Sequence, residues 1–572
     1  MSLATIIKKK KKNQFYYYLV ESARVNGKPR IVSQKYLGRA ENIAKAVEGR
    51  GDLDTAKYSF VFEFGAVCAL YHLADQLGVV RLIDKYAPKR DQGLSVGQYM
   101  LLAAINRAVE PLSKLQIGDW YRKTMLDRIA PVPKNLLSSQ RFWDNMNLLS
   151  EDGIQKFEEE FSELIAKKYG LRNDCLIYDA TNFFTYVDTM STSKLPQRGH
   201  SKEKRSDLKI VGLAMMVSPD FNIPLFHEVY PGNDPDSKEF GAVIERLKAR
   251  FMKVCSDPKS VTLVFDKGNN SPGNMDLVMD SERPFKIVGT LKLSQCKSLL
   301  DIPKDGFTSV PGYESRNVTA HRETLTIYNK GMTVLVVHNP ELLVGQMQGI
   351  TRHIEKCTLK LAEFQCKLEN NRTKKPKGGY RHTKDSVEKH INGILSYEYM
   401  KELFSINISI EDKYVSFGFA LNVSQLDNIQ ERYLGKTIIF TDNHDWSDER
   451  IVSAYRSQYH IEHAFRQMKD STYLGFRPIY HWTDQKIKVH AFYCVLALRL
   501  CSLLNRILDD NDIHLSIDRM LSTLSEIKQV VSVYPKRGES KKDRERFSLT
   551  KVGPQERRII EILDIAKYAL GG

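Results

Sequence analysis

The stretch from Trp446 to Trp482, WSDERIVSAYRSQYHIEHAFRQMKDSTYLGFRPIYHW, contains an unusual set of regularly spaced polar and aromatic residues. They are Tyr455, Tyr459, Glu462, Arg466 and Lys469, at offsets of 0, 4, 7, 11 and 14. This spacing predicts one face of a single helix running from Asp448 to Asp470. One carboxylate among aromatic and cationic side chains fits either a charged surface helix or part of a catalytic site.

Composition narrows the class of protein. A chain of 572 residues is expected to form two to four domains. Its net charge of +16 favours a polyanionic partner, either nucleic acid or an anionic membrane surface. The eight cysteines include no C-x-x-C pair, which indicates reduced thiols in a cytosolic protein. No signal peptide is expected, and the apolar segment Ala491–Leu504 is predicted to be a core helix, too short to span a bilayer. The chain is therefore expected to be cytoplasmic.

The N-terminal residues are basic and aromatic. Residues 8–12 are five lysines, predicted to be disordered or to lie on phosphate. The next segment, FYYYLVESARVNGKPRIVSQKYLG, predicts two strands around an Asn26-Gly27 turn. This hairpin has two interpretations, a DNA-contacting unit and a purely structural hairpin. Residues 61–168 have a helical pattern, and Arg107, Lys114 and other basic residues were expected on its surface, which would suit DNA binding.

From residue 173 the pattern changes to strands. Three strands in a meander are expected near 175–182, 209–218 and 223–233, then a helix, a strand ending at Asp266, a short helix and a strand at 285–293. This order predicts an α/β fold with a ribonuclease-H-like mixed-sheet core. The missing last helix of that core would be Asp448–Asp470, after an insertion of about 155 residues.

Six regions follow from these patterns. The expected regions are 1–58 (basic arm and hairpin), 59–170 (helical DNA-binding domain), 171–293 (first part of the catalytic core), 294–447 (β-rich insertion with a long helix and a basic loop), 448–509 (final core helices) and 510–572 (C-terminal helical region, a candidate for dimerisation).

Three carboxylates are expected to meet in this core. Asp179 and Asp266 each end a predicted strand, and Glu462 lies on the final helix. Carboxylate oxygens are ligands for Mg²⁺ or Mn²⁺, and two such ions can activate one oxygen and stabilise another in phosphodiester chemistry. The sequence predicts Asp179, Asp266 and Glu462 as catalytic residues and as ligands of two Mg²⁺ or Mn²⁺ ions. Each aspartate alone also fits a turn cap.

The sequence resembles the DDE transposases of prokaryotic insertion sequences, in the group named after insertion sequence four. That group has a Tyr-x₂-Arg-x₃-Glu-x₆-Lys signature, matched by Tyr455, Glu462 and Lys469, with Gln458 at the Arg position. The segments YDATN, GHSKEKRSDL, PGNDPD, VFDKGNNSPGN, FRPIYHW and KIKVHAFYCVLALRL extend the resemblance over roughly residues 60–505. It implies an end-binding N-terminal domain, a catalytic domain with a β-rich insertion, and a C-terminal dimerisation region.

Cations and aromatic rings near these segments are the expected DNA contacts. The predicted contacts are Tyr455, Arg456, Tyr459, Arg466, Lys469, Lys202, Lys204, Arg205, Lys374, Lys375 and Lys377. The basic residues at 202–205 equally fit simple solvation, and the lysine-rich loop at 374–377 also fits a linker. The expected partner is double-stranded DNA, both transposon ends and target, bound by a homodimer near the prokaryotic nucleoid.

Two other functions stay open. A nuclease of the same fold would cleave without strand transfer, and a domesticated DNA-binding protein would have lost an acidic residue. No G-x-x-x-x-G-K-[ST], G-x-G-x-x-G or H-E-x-x-H motif occurs, which disfavours an ATPase, a dinucleotide enzyme and a zincin. No membrane partner and no nucleotide cofactor are expected.

Overall fold

A mixed sheet of nine strands organises the larger of the two units into which the chain divides. The computed structural model describes residues 3–11, 14–25, 28–44, 55–89, 93–172, 174–187, 191–199, 207–233, 236–254, 261–279, 285–373, 382–411, 414–535 and 542–569. The larger unit comprises residues 69–121 and 131–522, and the smaller unit comprises 1–68, 122–130 and 523–572.

The strands alternate with helices along most of the chain. In chain order the described strands are β1 (Leu3–Lys11), β2 (Gln14–Val25), β3 (Lys28–Gly38), β4 (Tyr58–Glu63), β5 (Cys175–Thr185), β6 (Lys209–Val217), β7 (Pro224–Pro231), β8 (Thr262–Val264), β9 (Lys286–Leu291), β10 (Thr308–Ser309), β11 (Thr319–Ile327), β12 (Lys330–His338), β13 (Phe404–Glu411), β14 (Tyr414–Leu421), β15 (Lys436–Thr441), β16 (Lys528–Tyr534) and β17 (Arg544–Leu549). The described helices are α1 (Gly65–Gln76), α2 (Val79–Lys85), α3 (Val96–Val109), α4 (Ile117–Arg122), α5 (Leu126–Ile129), α6 (Ser139–Leu148), α7 (Glu151–Tyr169), α8 (Asp236–Val254), α9 (Pro272–Met279), α10 (Pro340–Thr373), α11 (Lys384–Ile394), α12 (Met400–Leu403), α13 (Val423–Arg432), α14 (Asp448–Arg456), α15 (Gln458–Lys469), α16 (Asp484–Asp509), α17 (Ile517–Glu526) and α18 (Pro554–Ile562).

The nine-stranded sheet has the order β10-β11-β12-β15-β9-β8-β5-β6-β7. β5 and β8 are parallel, as are β8 and β9, and all the other neighbours are antiparallel. The antiparallel meander β5-β6-β7 and the parallel strands β8 and β9 match the strands predicted from the sequence. The predicted mixed α/β class is confirmed. β5 and β6 are buried over most of their length, as expected for strands covered on both faces.

The predicted insertion, residues 294–447, does not behave as one body. Its strands β10, β11, β12 and β15 join the main sheet, β15 pairing directly with β9. The described residues between β12 and β15 are mostly helical, and they include the hairpin β13–β14 and an apolar core of their own. The alternation of apolar and polar residues predicts where these strands lie. It does not predict which strands pair, because pairing depends on the tertiary fold.

Helix α16 is the main core helix. At 26 residues it is longer than the predicted Ala491–Leu504, and by length and hydropathy it could cross a membrane. Its most apolar window is nevertheless 94% buried inside the protein. It packs against α3, α6, α7 and β7. The prediction of a core helix is confirmed, while the expectation that it is too short to span a bilayer was wrong.

The smaller unit contains two three-stranded antiparallel sheets. β1, β2 and β3 form one in that order, so four of the five lysines predicted to be disordered or to lie on phosphate, Lys8 to Lys11, are in strand β1, and the fifth lies outside the described residues. The other has the order β17-β16-β4 and joins residues near both ends of the described chain. The region 510–572, predicted to be helical, therefore also contains two strands. The predicted Asn26-Gly27 turn lies outside the described residues.

Candidate functional site

Asp179 lies on β5, and Asp266 lies two residues beyond the end of β8, the strand that runs parallel beside β5. Ile177 of β5 pairs with Val264 of β8, and each aspartate follows two residues later. Because side chains two residues apart point to the same face of a strand, this register directs both carboxylates to one face at one edge of the sheet. Neighbouring strands lie about 4.8 Å apart, so the two chain segments that lead to these aspartates run side by side.

The backbone fixes how each aspartate is held. An oxygen of Asp179 accepts a hydrogen bond from the Ala180 amide at 2.8 Å. Asp266 ends the strand segment and caps the short 3₁₀ turn Lys267–Asn269, its Oδ1 accepting from the Lys267 amide at 2.7 Å. Both carboxylates are partly buried. Asp266 therefore does cap a turn, as the alternative interpretation predicted. It caps that turn at the end of the sheet to which β5 also brings Asp179.

Amide side chains brace the loop behind Asp266. Asn270 donates from Nδ2 to the carbonyl oxygen of Thr290 in β9 at 2.6 Å. Asn274 at the start of α9 donates to the carbonyl oxygen of Asn269 at 2.8 Å. These bonds tie the VFDKGNNSPGN segment to the sheet and restrict the position of Asp266. The sequence alone did not predict a role for Asn270 or Asn274.

The predicted single helix over 448–470 is broken. α14 ends at Arg456 and α15 begins at Gln458, so Tyr455 belongs to a different helix from Glu462. Ser457 at the break uses its hydroxyl to donate to the Ala454 carbonyl oxygen at 2.5 Å, a local bond that competes with helix continuation. The helical spacing of the sequence is unaffected by such a break, so periodicity alone did not reveal it.

Helix α15 packs on β5 through its apolar side. Ile461, Ala464, Phe465 and Met468 are buried there. Glu462, Arg466 and Lys469 lie beside this apolar side, and Glu462 and Arg466 are exposed. The Lys469 ammonium lies 5.7 Å from the ring centre of Phe183, four residues beyond Asp179 on β5. Three of the regularly spaced residues, Glu462, Arg466 and Lys469, therefore lie on a helix that packs on the strand bearing Asp179.

Tyr455, on α14, is influenced by the charges of Asp266 and Glu462. We call the end of the sheet that carries Asp179 and Asp266 the acidic edge. Burial raises the pKa of the Tyr455 hydroxyl, contact with Thr290 acts in the opposite direction, and the charges of Asp266 and Glu462 raise the pKa further. The influence of both carboxylates indicates that they lie within electrostatic range of one hydroxyl. Within the described residues, however, no group of three or more His, Cys, Asp or Glu side chains is arranged so that it could hold a metal ion.

The other predicted DNA contacts fall into three sets. Tyr459 is exposed and lies 6.2 Å from the His463 ring. Arg456 turns away from the carboxylates and stacks on Tyr313 at 4.5 Å, lining a cavity of about 440 Å³ at Cys175, the first residue of β5. The remaining residues, Lys202, Lys204, Arg205, Lys374, Lys375 and Lys377, lie outside the described residues.

Two basic residues expected on the helical surface are instead buried. Arg107 donates at 3.2 Å to the carbonyl oxygens of Gly475 and Arg477, and so holds the segment that follows α15. Lys114 donates to the Tyr493 hydroxyl at 2.9 Å. His490 is buried, as predicted, and shares a hydrogen bond of 2.7 Å with the Phe476 carbonyl oxygen. The sequence does not distinguish a buried basic side chain from an exposed one, because the long apolar stem of Lys or Arg can pack in either place.

A cluster of exposed aromatic rings was missed. Tyr186, Tyr480 and Trp482 are 49%, 56% and 74% exposed. The Tyr186 and Tyr480 rings are 5.4 Å apart, and the Tyr186 amide donates to the Ile479 carbonyl oxygen at 2.9 Å. Tyr186 directly follows β5, so the cluster lies beyond the strand end towards which Asp179 and Phe183 lead. We call this ring pair, together with the exposed Trp482 two residues after Tyr480, the aromatic cluster.

Comparison with known proteins adds little. No protein-family model matches the chain, and no curated protein does. Among solved structures, a cryo-EM structure of the piggyBac transposase synaptic complex with hairpin DNA aligns over 82% of each chain, at 8% identity and a TM-score of 0.35. A likeness this distant assigns neither fold family nor function to this chain.

Proposed function

We propose that the chain is a DNA transposase of the DDE type. It would bind the terminal inverted repeats of an insertion sequence, cleave the DNA and join it to a target, acting as a homodimer in the prokaryotic cytoplasm. The observation that carries this proposal is the parallel pairing of β5 with β8, which brings Asp179 on β5 and Asp266 just beyond β8 to the same end of the sheet, with the helix that bears Glu462 packed on β5. A ribonuclease-H-like core is the finer fold assignment that goes with it, supported by the strand order β9-β8-β5-β6-β7.

The donor chemistry of the acidic edge suits hard divalent cations. Asp179 and Asp266 would supply two carboxylates. Glu462 would complete the ligand set for two Mg²⁺ or Mn²⁺ ions by moving closer to them, because the described residues hold no three such side chains already arranged for a metal ion. Bound there, such ions would activate the attacking oxygen and stabilise the leaving one in phosphodiester chemistry. Tyr455, which keeps its proton, would donate a hydrogen bond to a phosphate at this edge.

The cations around the edge would hold the DNA backbone. Lys469 and Arg466 lie on the same side of α15 as Glu462, where their charges offset phosphate charge next to the carboxylates. Tyr459 offers an exposed ring for an unpaired base. Arg456 would contact DNA only at the separate cavity near Cys175, remote from cleavage.

Metal binding can be tested apart from cleavage. We expect the wild-type chain to bind Mn²⁺ in titration calorimetry, and Asp266→Asn to weaken that binding at least about tenfold, since it removes a charged ligand. Asp75→Asn, at an exposed position on α1, is the matched control and should bind as wild type does. Equal Mn²⁺ affinity in Asp266→Asn and wild type would contradict the assignment of the site.

Cleavage is tested on DNA that flanks the gene. A plasmid bearing these flanks should be nicked with Mg²⁺ or Mn²⁺ and no nucleotide triphosphate, and not in EDTA. Asp179→Asn, Asp266→Asn and Glu462→Gln should each lose cleavage by orders of magnitude while Glu163→Gln, an exposed control, retains it. Full activity in EDTA would refute the proposal, and nicking without any joined product would favour a nuclease.

A further inference from the structure

The charge of the chain is concentrated in its first strands. Residues 1–39 contain ten Lys and Arg and a single acidic residue, a net charge of +9, whereas the whole chain carries +16. Within this segment, Leu3–Lys11, Gln14–Val25 and Lys28–Gly38 form the sheet β1-β2-β3, which we call the N-terminal sheet. A positive charge of this density on a small sheet is the electrostatic footprint of a polyanion-binding surface.

The lysines of β1 point to both faces of the sheet. Lys8 to Lys11 are all exposed, and β1 is an edge strand. Lys8 lies 5.4 Å from the ring centre of Phe15, and Lys9 lies 5.0 Å from that of Tyr18. Phe15 and Tyr18 belong to opposite faces of β2, because successive side chains alternate. The strand edge therefore carries a row of positive charge on each side.

Aromatic rings stiffen one face. Tyr36 lies 6.1 Å from Tyr16 and 5.2 Å from Tyr18, and Arg39 is 5.9 Å from the Tyr16 ring. Almost all of β3 is exposed, so the sheet has little further core. The tyrosines pack on one another at tilted angles of 37° and 52°. They serve mainly to hold the sheet together while the cations face outward.

We propose that the N-terminal sheet binds duplex DNA without sequence preference, with its β1 edge in the major groove. The groove is about 12 Å wide and admits an antiparallel β-ribbon, so the two lysine rows would meet the two phosphate walls. A flat anionic membrane would engage one face only. A second copy of the sheet would bring two like charges of +9 together. Contacts made by lysine to phosphate carry no sequence information.

The inference rests on the proposed function for its biological setting, but its test is independent of cleavage. The full-length protein is titrated by fluorescence anisotropy against two duplexes of unrelated sequence over a series of salt concentrations. Lys8, Lys9, Lys10 and Lys11 are changed together to Gln. The control changes Lys156, Lys167, Lys168 and Lys384 to Gln, which removes the same charge from exposed positions elsewhere.

The log-log salt slope should shrink by about 3 to 4 in the β1 variant, at about 0.9 per lost phosphate contact, and by less than about one in the control. Both duplexes should respond alike. The pairs Lys8/Lys10→Gln and Lys9/Lys11→Gln should each remove about half of the effect. Equal slopes in the β1 variant and its control overturn the inference, and so does an effect confined to one pair.

Two further outcomes separate the inference from the proposed function. Partition of the wild type onto phosphatidylserine vesicles in preference to duplex, lost in the β1 variant, would make the sheet a membrane-binding surface and overturn the inference. If the slopes change as expected while no plasmid is cleaved with any metal, the DNA-binding sheet stands and the transposase proposal fails. If the plasmid is cleaved but the slopes do not change, the transposase proposal stands and the inference about the N-terminal sheet fails.

Discussion

Burial and the neighbouring Asp266 and Glu462 charges raise the pKa of the Tyr455 hydroxyl, which favours its protonated form. We expect Tyr455→Phe to slow cleavage about fivefold, the loss of one hydrogen bond worth about 1 kcal/mol. The factor should be the same at neutral and alkaline pH, as measured by plasmid nicking. A defect that appears only at alkaline pH would show that the hydroxyl ionises.

Lys469 and Asp266 should affect binding and cleavage differently. Lys469→Ala removes one cation from the stripe beside Glu462, so the log-log salt slope of DNA binding should shrink by about one. Asp266→Asn should abolish cleavage and leave binding intact. Gel shifts over a salt series, with exposed Lys167→Ala as control, measure the first effect. Loss of DNA binding by a folded Asp266→Asn protein would contradict this division.

Lys114 is held in an environment that opposes its charge. Burial lowers its pKa well below the ordinary 10.5, and Arg107 lowers it further. The unfolded chain therefore binds the proton more strongly, which costs stability below pH 10.5 and most at low pH. Lys114→Met should raise Tm by about 2 °C in mildly acidic buffer, with a smaller gain as pH rises. A variant that melts lower at every pH would show that the Tyr493 hydrogen bond outweighs the charge.

At the scale of elements, the carboxylate of Glu158 connects three helices and one strand. Glu158 of α7 contacts His227 of β7 at 2.7 Å, Arg499 of α16 at 3.1 Å and Arg250 of α8. Burial alone would raise the pKa of Glu158, but His227 and the two guanidinium groups outweigh it and lower the pKa to about 2. The stabilisation is thus complete above the unfolded-state value of 4.5 and is lost as pH falls towards 2.

Glu158→Gln should be severely destabilising, because it removes the buried counter-charge of Arg499 and leaves the buried Arg250 guanidinium with Glu228 as its remaining acidic partner. The expected cost is about 3 to 5 kcal/mol, measured as a shift of the urea unfolding midpoint. Glu163→Gln, at an exposed position on the same helix, is the control and should change little. The difference between the two variants should narrow in strongly acidic buffer, where Glu158 itself becomes protonated.

The aromatic cluster predicts a preference for unpaired DNA. Stacking of one base on an aromatic ring is worth about 1 to 3 kcal/mol, so Trp482→Ala should weaken binding of a duplex with a short unpaired tail about tenfold. A flush duplex of the same sequence should bind as before. Trp143→Ala, another exposed tryptophan, is the control. Equal losses on both duplexes would mean that Trp482 supports the fold and not a base.

The sequence was sufficient for elements whose signal is local. β5 to β9 were predicted nearly where they lie, since short apolar runs between turn residues define buried strands, and the placement of Asp179 and Asp266 at the same end of the sheet follows from them. The break at Ser457 was missed, because one side-chain hydrogen bond leaves no trace in periodicity. The pairing of β15 with β9 was missed too, because the two strands are far apart in sequence.

For the whole molecule, net charge predicted a polyanionic partner but not how the chain is assembled. The smaller unit is built from three separate segments, 1–68, 122–130 and 523–572. No compositional boundary marks these segments, so six consecutive regions were expected in their place. The structure closes that unit by pairing β4 with β16, and Glu63 of β4 contacts Lys528 of β16 across 465 residues of sequence.

This pairing has a consequence during synthesis. At about 5 to 20 residues per second, β4 leaves the ribosome roughly half a minute to a minute and a half before β16 exists. Throughout that interval the Tyr58 and Phe60 side chains and the β4 backbone lack the strand that later pairs with them. The nascent chain thus carries an open, aromatic strand edge until late in translation, a natural target for a chaperone. A message broken before codon 528 would release a polypeptide in which that edge can never close.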